Sequence, residues 1–122
     1  MQRSPSFGMV RVTGNSMTPT LRDGDRLLVR YGAPVRVGQV VLGHYRAEPD
    51  LAVVKRVFAP DGRSWSVGSD NPRAGSSSAG HGPAEVRAVA IRLWPTAPSR
   101  GRVPRLRRLL GYPIPEAPPE RL

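Results

Sequence analysis

The sequence predicts a small, mostly β domain followed by a proline- and arginine-rich tail. Three observations carry this. Apolar residues alternate with polar ones in six short stretches, each bounded by Gly, Pro, Asp, Asn or Ser. Little of the chain carries the patterning of a helix, and many short strands with frequent turns belong to β domains. From Pro95 the composition changes: seven prolines fall in the last 28 residues, mixed with arginine, which disfavours a packed core. The 122 residues suit one domain, expected over 7–94, with 95–122 as a largely disordered, flexible tail. Within it, Val103 to Leu110 is a candidate for a short basic amphipathic helix.

The elements follow in order. Phe7 to Val12 reads as a strand, with Phe7, Met9 and Arg11 on one face and Val10 and Val12 on the other. Thr13-Gly14-Asn15 breaks it. Ser16 precedes Met17-Thr18-Pro19-Thr20-Leu21, and serine ahead of a segment with an early proline suits the N-cap of a helical turn. Asp23-Gly24-Asp25 is turn chemistry. Arg26 to Tyr31 is an apolar strand ended by Gly32-Ala33-Pro34. Val35 to Gly38 is a short connection, and Gln39 to Tyr45 a further strand. Glu48-Pro49-Asp50 turns the chain into a strand over Leu51 to Phe58. There Val53, Lys55 and Val57 share one face, and Val54, Arg56 and Phe58 the other. Ala59-Pro60-Asp61-Gly62 reads as a hairpin loop leading to a strand over Ser64 to Val67. Residues 68–83 read as irregular. Glu85 to Trp94 is the last strand, with Val86, Ala88 and Ala90 alternating with Arg87, Val89, Ile91 and Leu93.

Composition excludes several functions. There is no cysteine, hence no disulfide framework and no thiolate metal site. His44 and His81 lack ligand-type neighbours at useful spacing, so neither a metal nor another cofactor is expected. No stretch approaches the ~18 apolar residues of a transmembrane helix, and Met1 to Ser6 lacks the apolar run of a signal peptide. The expectation is a soluble, cytoplasmic protein without a membrane anchor. The formal charge of +10 invites a non-enzymatic nucleic-acid or anionic-lipid module as an alternative. Its distribution weakens that: residues 1–94 carry 13 basic and 7 acidic side chains, and the arginines are densest in the tail.

The basic residues hold a sharper signal. Eighteen of the 19 are arginine, and Lys55 is the only lysine. Arginine cannot lose its proton in a protein, whereas a desolvated lysine can. A position that keeps lysine in so arginine-rich a chain points to a need for a neutral amine. A serine hydroxyl is a weak nucleophile that needs a base, and a Ser-Lys pair is one known solution. At pH 7.4 a lysine of pKa about 10.4 is neutral roughly one part in a thousand; at a pKa of about 8 the share is about a fifth. Burial supplies shifts of that size, and Val53 and Val57 flank Lys55 as its walls. Ser16 is thus the candidate nucleophile and Lys55 its candidate base. Backbone N–H groups at the turn bordered by Gly14 and Ser16 are candidates to hold an oxyanion.

These stretches resemble a known family. Gly14-Asn15-Ser16-Met17-Thr18-Pro19-Thr20-Leu21 with Gly24-Asp25 resembles the nucleophile box of the type I signal peptidase-like serine/lysine proteases (S26-like). Val53-Val54-Lys55-Arg56-Val57 resembles their lysine box, and Ser69-Asp70-Asn71-Pro72 with Gly82-Pro83 their last box, where Ser69 stands in place of a usual glycine. The resemblance implies the catalytic β fold shared by signal peptidases and self-cleaving repressors, with Ser16 as nucleophile and Lys55 as general base. Met17 reads as a packing residue beside the site rather than a specificity element, and Asp70 and Asn71 as structural residues that hold the loop behind the pair. An aspartate and an arginine usual after Asn71 are replaced within residues 75–79. Ser76, Ser77 and Ser78 are then the candidates to support the amine, and the sequence does not choose among them.

Within that family the chain most resembles the small proteases that mature nickel-type superoxide dismutase. The resemblance implies an endopeptidase that removes an N-terminal extension from that precursor, the nickel being the substrate's own. Processing of another precursor is the alternative. A self-cleaving repressor is not expected, because only 15 residues precede Ser16.

Overall fold

The computed structural model describes residues 5–73 and 77–96. Six strands form one antiparallel sheet: β1 (Ser6–Arg11), β2 (Arg26–Tyr31), β3 (Val40–Tyr45), β4 (Val53–Asp61), β5 (Ser64–Gly68) and β6 (Ala84–Trp94). Their spatial order is β1-β2-β6-β3-β4-β5, and a further pairing of β5 with β6 joins β6, β3, β4 and β5 into a closed ring. The mostly β architecture is as the alternating patterns predict.

Two apolar clusters lie on opposite faces of the central strands. The first gathers Val12, Met17, Leu21, Leu27, Val29, Val40, Ala88, Ala90 and Leu93. The second gathers Val41, Tyr45, Val57, Val67, Ala84 and Val89 inside the ring. Successive residues of one strand feed different clusters: Val40 the first and Val41 the second, Ala88 the first and Val89 the second. That is the two-residue period of a pleated strand buried on both sides.

The structure departs from the sequence reading at four places. Even alternation along β6 fails, because the register shifts twice. Gly43 pairs with Val86 and Leu42 with Ala88, leaving Arg87 as an extra residue. Val29 pairs with Ala90 and Leu28 with Arg92, leaving Ile91. Each extra residue is a bulge that exchanges the two faces. Val86 therefore packs on the second cluster although Ala88 and Ala90 belong to the first, and Leu93 joins Ala90 at an odd spacing.

The β4–β5 loop is shorter than expected. Ala59, Pro60 and Asp61 remain in β4, and Asp61 pairs with Ser64 across a two-residue turn whose Gly62 has φ +66. Pro60 is tolerated because β3 pairs only with Val53 to Arg56 of β4. Within 68–83 one short helix, α1 (Ser78–His81), interrupts the irregular run. Finally, Ser16 is not a helix N-cap. Residues 16–20 form turns. One bond of α-helical spacing forms, Leu21 N–H to the Met17 carbonyl at 2.9 Å, beside a single tighter turn from Thr18 N–H to the Asn15 carbonyl at 3.3 Å. Pro19 has no N–H to give, and a residue before proline is steered away from helical backbone, so the turn does not propagate.

Candidate active site

The Ser16 turn is seated from below and tied from the sides. Met17 and Leu21 point into the first cluster, where each is fully buried. Ser16 itself stays half-exposed above them. Gly14, at φ +82, takes the sharp bend out of β1, and its N–H donates to Asp23 Oδ1 at 2.8 Å. That amide is therefore engaged and not directed at a reacting carbonyl. The Ser16 N–H makes no hydrogen bond among the described residues.

Lys55 lies on β4 on the side of the second cluster, between Val53 and Val57 and directly opposite Val41. It is only 4% exposed. Burial pushes its amine below the ordinary lysine range, since water is withheld from the charged form. Its Nζ donates to Ser69 Oγ at 2.7 Å. Ser16 Oγ and Lys55 Nζ are not hydrogen-bonded to each other. Catalytic hydrogen bonds commonly tighten only when substrate is bound.

The tripeptide Ser69-Asp70-Asn71 joins the two parts. β5 ends at Gly68, opposite Arg56. One residue on, Ser69 meets Lys55. Asp70 receives two bonds from Arg56, Nε to Oδ1 at 3.0 Å and Nη2 to Oδ2 at 2.7 Å, and one from Thr20 Oγ1 at 2.5 Å. Burial alone raises the Asp70 carboxyl; the hydrogen bonds from Arg56 and Thr20, with the Arg56 charge, outweigh it and hold the group below the usual carboxylate range. Asn71 N–H donates to the Ser16 carbonyl at 2.9 Å, and its side-chain amide to the Asn15 carbonyl at 3.0 Å and Thr18 Oγ1 at 3.1 Å. Ser69 and Asn71 are two residues apart, a span of at most about 7 Å. One short loop thus holds the Ser16 backbone and the Lys55 amine together.

The other expected supports lie elsewhere. Ser78 Oγ accepts the Val67 N–H at 2.9 Å, and the Ser77 carbonyl accepts the N–H groups of Gly80 and His81. Neither contacts Lys55 among the described bonds. Ser76, like residues 97–122 of the tail with the candidate helix Val103 to Leu110, lies outside the described residues. The contact of Ser69 with Lys55 was missed from sequence, yet a signal exists. Extending the β4–β5 register by one residue sets Ser69 across from Lys55. The parts played by Thr20 and Asp23 left no such trace. Among the described residues, no three His, Asp or Glu side chains gather as a metal site. None of their helices is long and apolar enough to cross a membrane.

This fold, with a serine turn and a buried lysine tied to one loop, is matched over residues 1–91 by the family model described as Peptidase S24-like. The chain belongs to the Peptidase S24-like family. No curated protein matches it. The S24-like assignment covers the whole sheet up to Ile91 and so takes in Ser16, Lys55 and the tripeptide. It agrees with the signal-peptidase and self-cleaving-repressor fold expected from the sequence and brings serine-peptidase chemistry at family level. It names neither a substrate nor the narrower type I signal peptidase group.

Proposed function

We propose that this S24-like chain is an endopeptidase with a Ser-Lys dyad, Ser16 as nucleophile and Lys55 as general base. The observation that carries it is the chain's only lysine, buried on β4 with a depressed affinity for protons and hydrogen-bonded to the loop that also binds the Ser16 carbonyl. The neutral amine takes the Ser16 hydroxyl proton as Oγ attacks the scissile carbonyl. The resulting oxyanion meets the Ser16 N–H. The lysine ammonium then gives its proton to the leaving amine, which departs and leaves an acyl-serine. Lys55, neutral again, takes a proton from the water that attacks the acyl carbon, and the ammonium returns that proton to Ser16 Oγ as the acid leaves, restoring both groups.

The proposed substrate is the precursor of a nickel-type superoxide dismutase, cut behind an N-terminal extension in the cytoplasm. Support comes from the likeness of the three boxes to the proteases that mature that enzyme. The test is mass spectrometry of the precursor before and after incubation. Cleavage is expected with the natural chain. Ser16→Ala and Lys55→Ala should lose at least about 10³-fold in rate while keeping the fold. Lys55→Arg should be as inactive as Lys55→Ala, because it keeps the charge and cannot act as a base. Substantial activity in Lys55→Arg would sink the assignment. The mass of the chain itself in the same samples reports on self-cleavage.

A further inference from the structure

We infer that Ser69 is the positioning residue for Lys55, its hydroxyl fixing the direction in which the buried amine points. The inference rests on the reading of Lys55 as base and adds what orients it. A lysine amine rotates at the end of a flexible stem and carries three donors when charged. When neutral it has two N–H groups and one lone pair, and only the lone pair is useful. The amine must therefore place an N–H elsewhere to aim its lone pair at Ser16. Ser69 Oγ, at 2.7 Å, receives that N–H.

Nothing else described around Lys55 offers the same service. Val53, Val57 and Val41 surround its stem with apolar groups. The charged neighbours, Arg56 and Asp70, are paired with each other at 2.7 Å. Ser69 is also well anchored. The preceding Gly68 is paired in the sheet, the following Asp70 is held by Arg56 and Thr20, and Asn71 is bonded to the Ser16 turn. The hydroxyl thus stands on backbone fixed at both sides, as precise orientation needs.

The chain's single lysine makes the test direct. Incorporating lysine labelled with 13C at Cε gives one side-chain resonance, and its titration reads Lys55 with no substrate present. The Ser69 hydroxyl accepts from the ammonium and so favours the charged form. Ser69→Ala is therefore expected to move the titration midpoint of Lys55 down, and Ser69→Thr to leave it near the natural value. A residue that only fills space predicts the opposite, because the vacated volume admits water and moves the midpoint up. An unchanged or raised midpoint in Ser69→Ala overturns the inference. On the precursor, Ser69→Ala should lower kcat by ~10²-fold with KM nearly unchanged, and Ser69→Thr should recover most of it. An unimpaired kcat in Ser69→Ala also overturns it. If the natural chain cuts no precursor, the peptidase reading fails by itself, while the titration still decides whether Ser69 holds the amine.

Discussion

At neutral pH an unfolded chain carries Lys55 as a fully hydrated ammonium, whereas the folded chain holds the same amine out of water. Its proton affinity falls on folding. The unfolded state then binds more protons between the lowered value and the ordinary one of about 10.4, so stability rises with pH across that window. Below it the full penalty applies, about 1.4 kcal/mol for each unit of lowering. Lys55→Met is therefore expected to raise the urea midpoint at pH 7 while abolishing cleavage, with the gain shrinking as the pH approaches 10. A lower midpoint for the variant at pH 7 would contradict this account. The same residue shows what composition can reveal. The burial of Lys55 was legible because a lone lysine flanked by Val53 and Val57 stands out in a chain that otherwise uses arginine. Ser69 was not, because a serine beside Asp-Asn reads as loop chemistry until the strand register sets it against the lysine.

At the scale of elements, the tripeptide after β5 and the bulges of β6 do most to place the site. Asp70 is the knot of that tripeptide, and its carboxyl is held below the usual range. The stability it contributes is present above the ordinary carboxylate value of about 3.9 and is lost as pH falls through the lower folded value. Asp70→Asn should cost about 2 kcal/mol at pH 7, between the surface and buried extremes for ion pairs. The difference from the natural chain should close in acid, as followed by chemical unfolding at a series of pH values. Gly43 marks the β3–β6 bulge: a Cβ added there would overlap the Glu85 carbonyl oxygen. Gly43→Ala should lower stability by about 1–3 kcal/mol in the same assay, because backbone there cannot give way as a flexible side chain would. The six strands were legible to within a few residues because their apolar alternation is short and sharply bounded. The exchange of faces along β6 was not. A bulge is set by two-against-one pairing with another strand, and Arg87 and Ile91 carry no local mark of it.

Over the whole molecule, β3 and β6 belong to both clusters at once. Neither cluster can open without disturbing a strand that the other needs, so the described sheet should unfold as one unit. Trp65 packs against the second cluster, whereas Trp94 is an exposed residue at the end of β6, next in sequence to Leu93 of the first. Two single-tryptophan variants, Trp94→Phe and Trp65→Phe, leave one fluorescent reporter against the second cluster and one at the end of β6 respectively. For each variant the fluorescence and far-ultraviolet circular dichroism transitions in urea should coincide. Separate transitions within one variant would show two independently melting halves.

The Ser16 turn sits on the first cluster and Lys55 on the second, so the proposed dyad depends on how the two cores are stacked. The separation of the proposed nucleophile and base is a property of the seam, not of either side. Substitutions deep in one core, far from any substrate, can therefore detune the chemistry by sliding one half of the site past the other. The chain can lose its rate while both cores remain intact, and the tripeptide is the strap that keeps them in step.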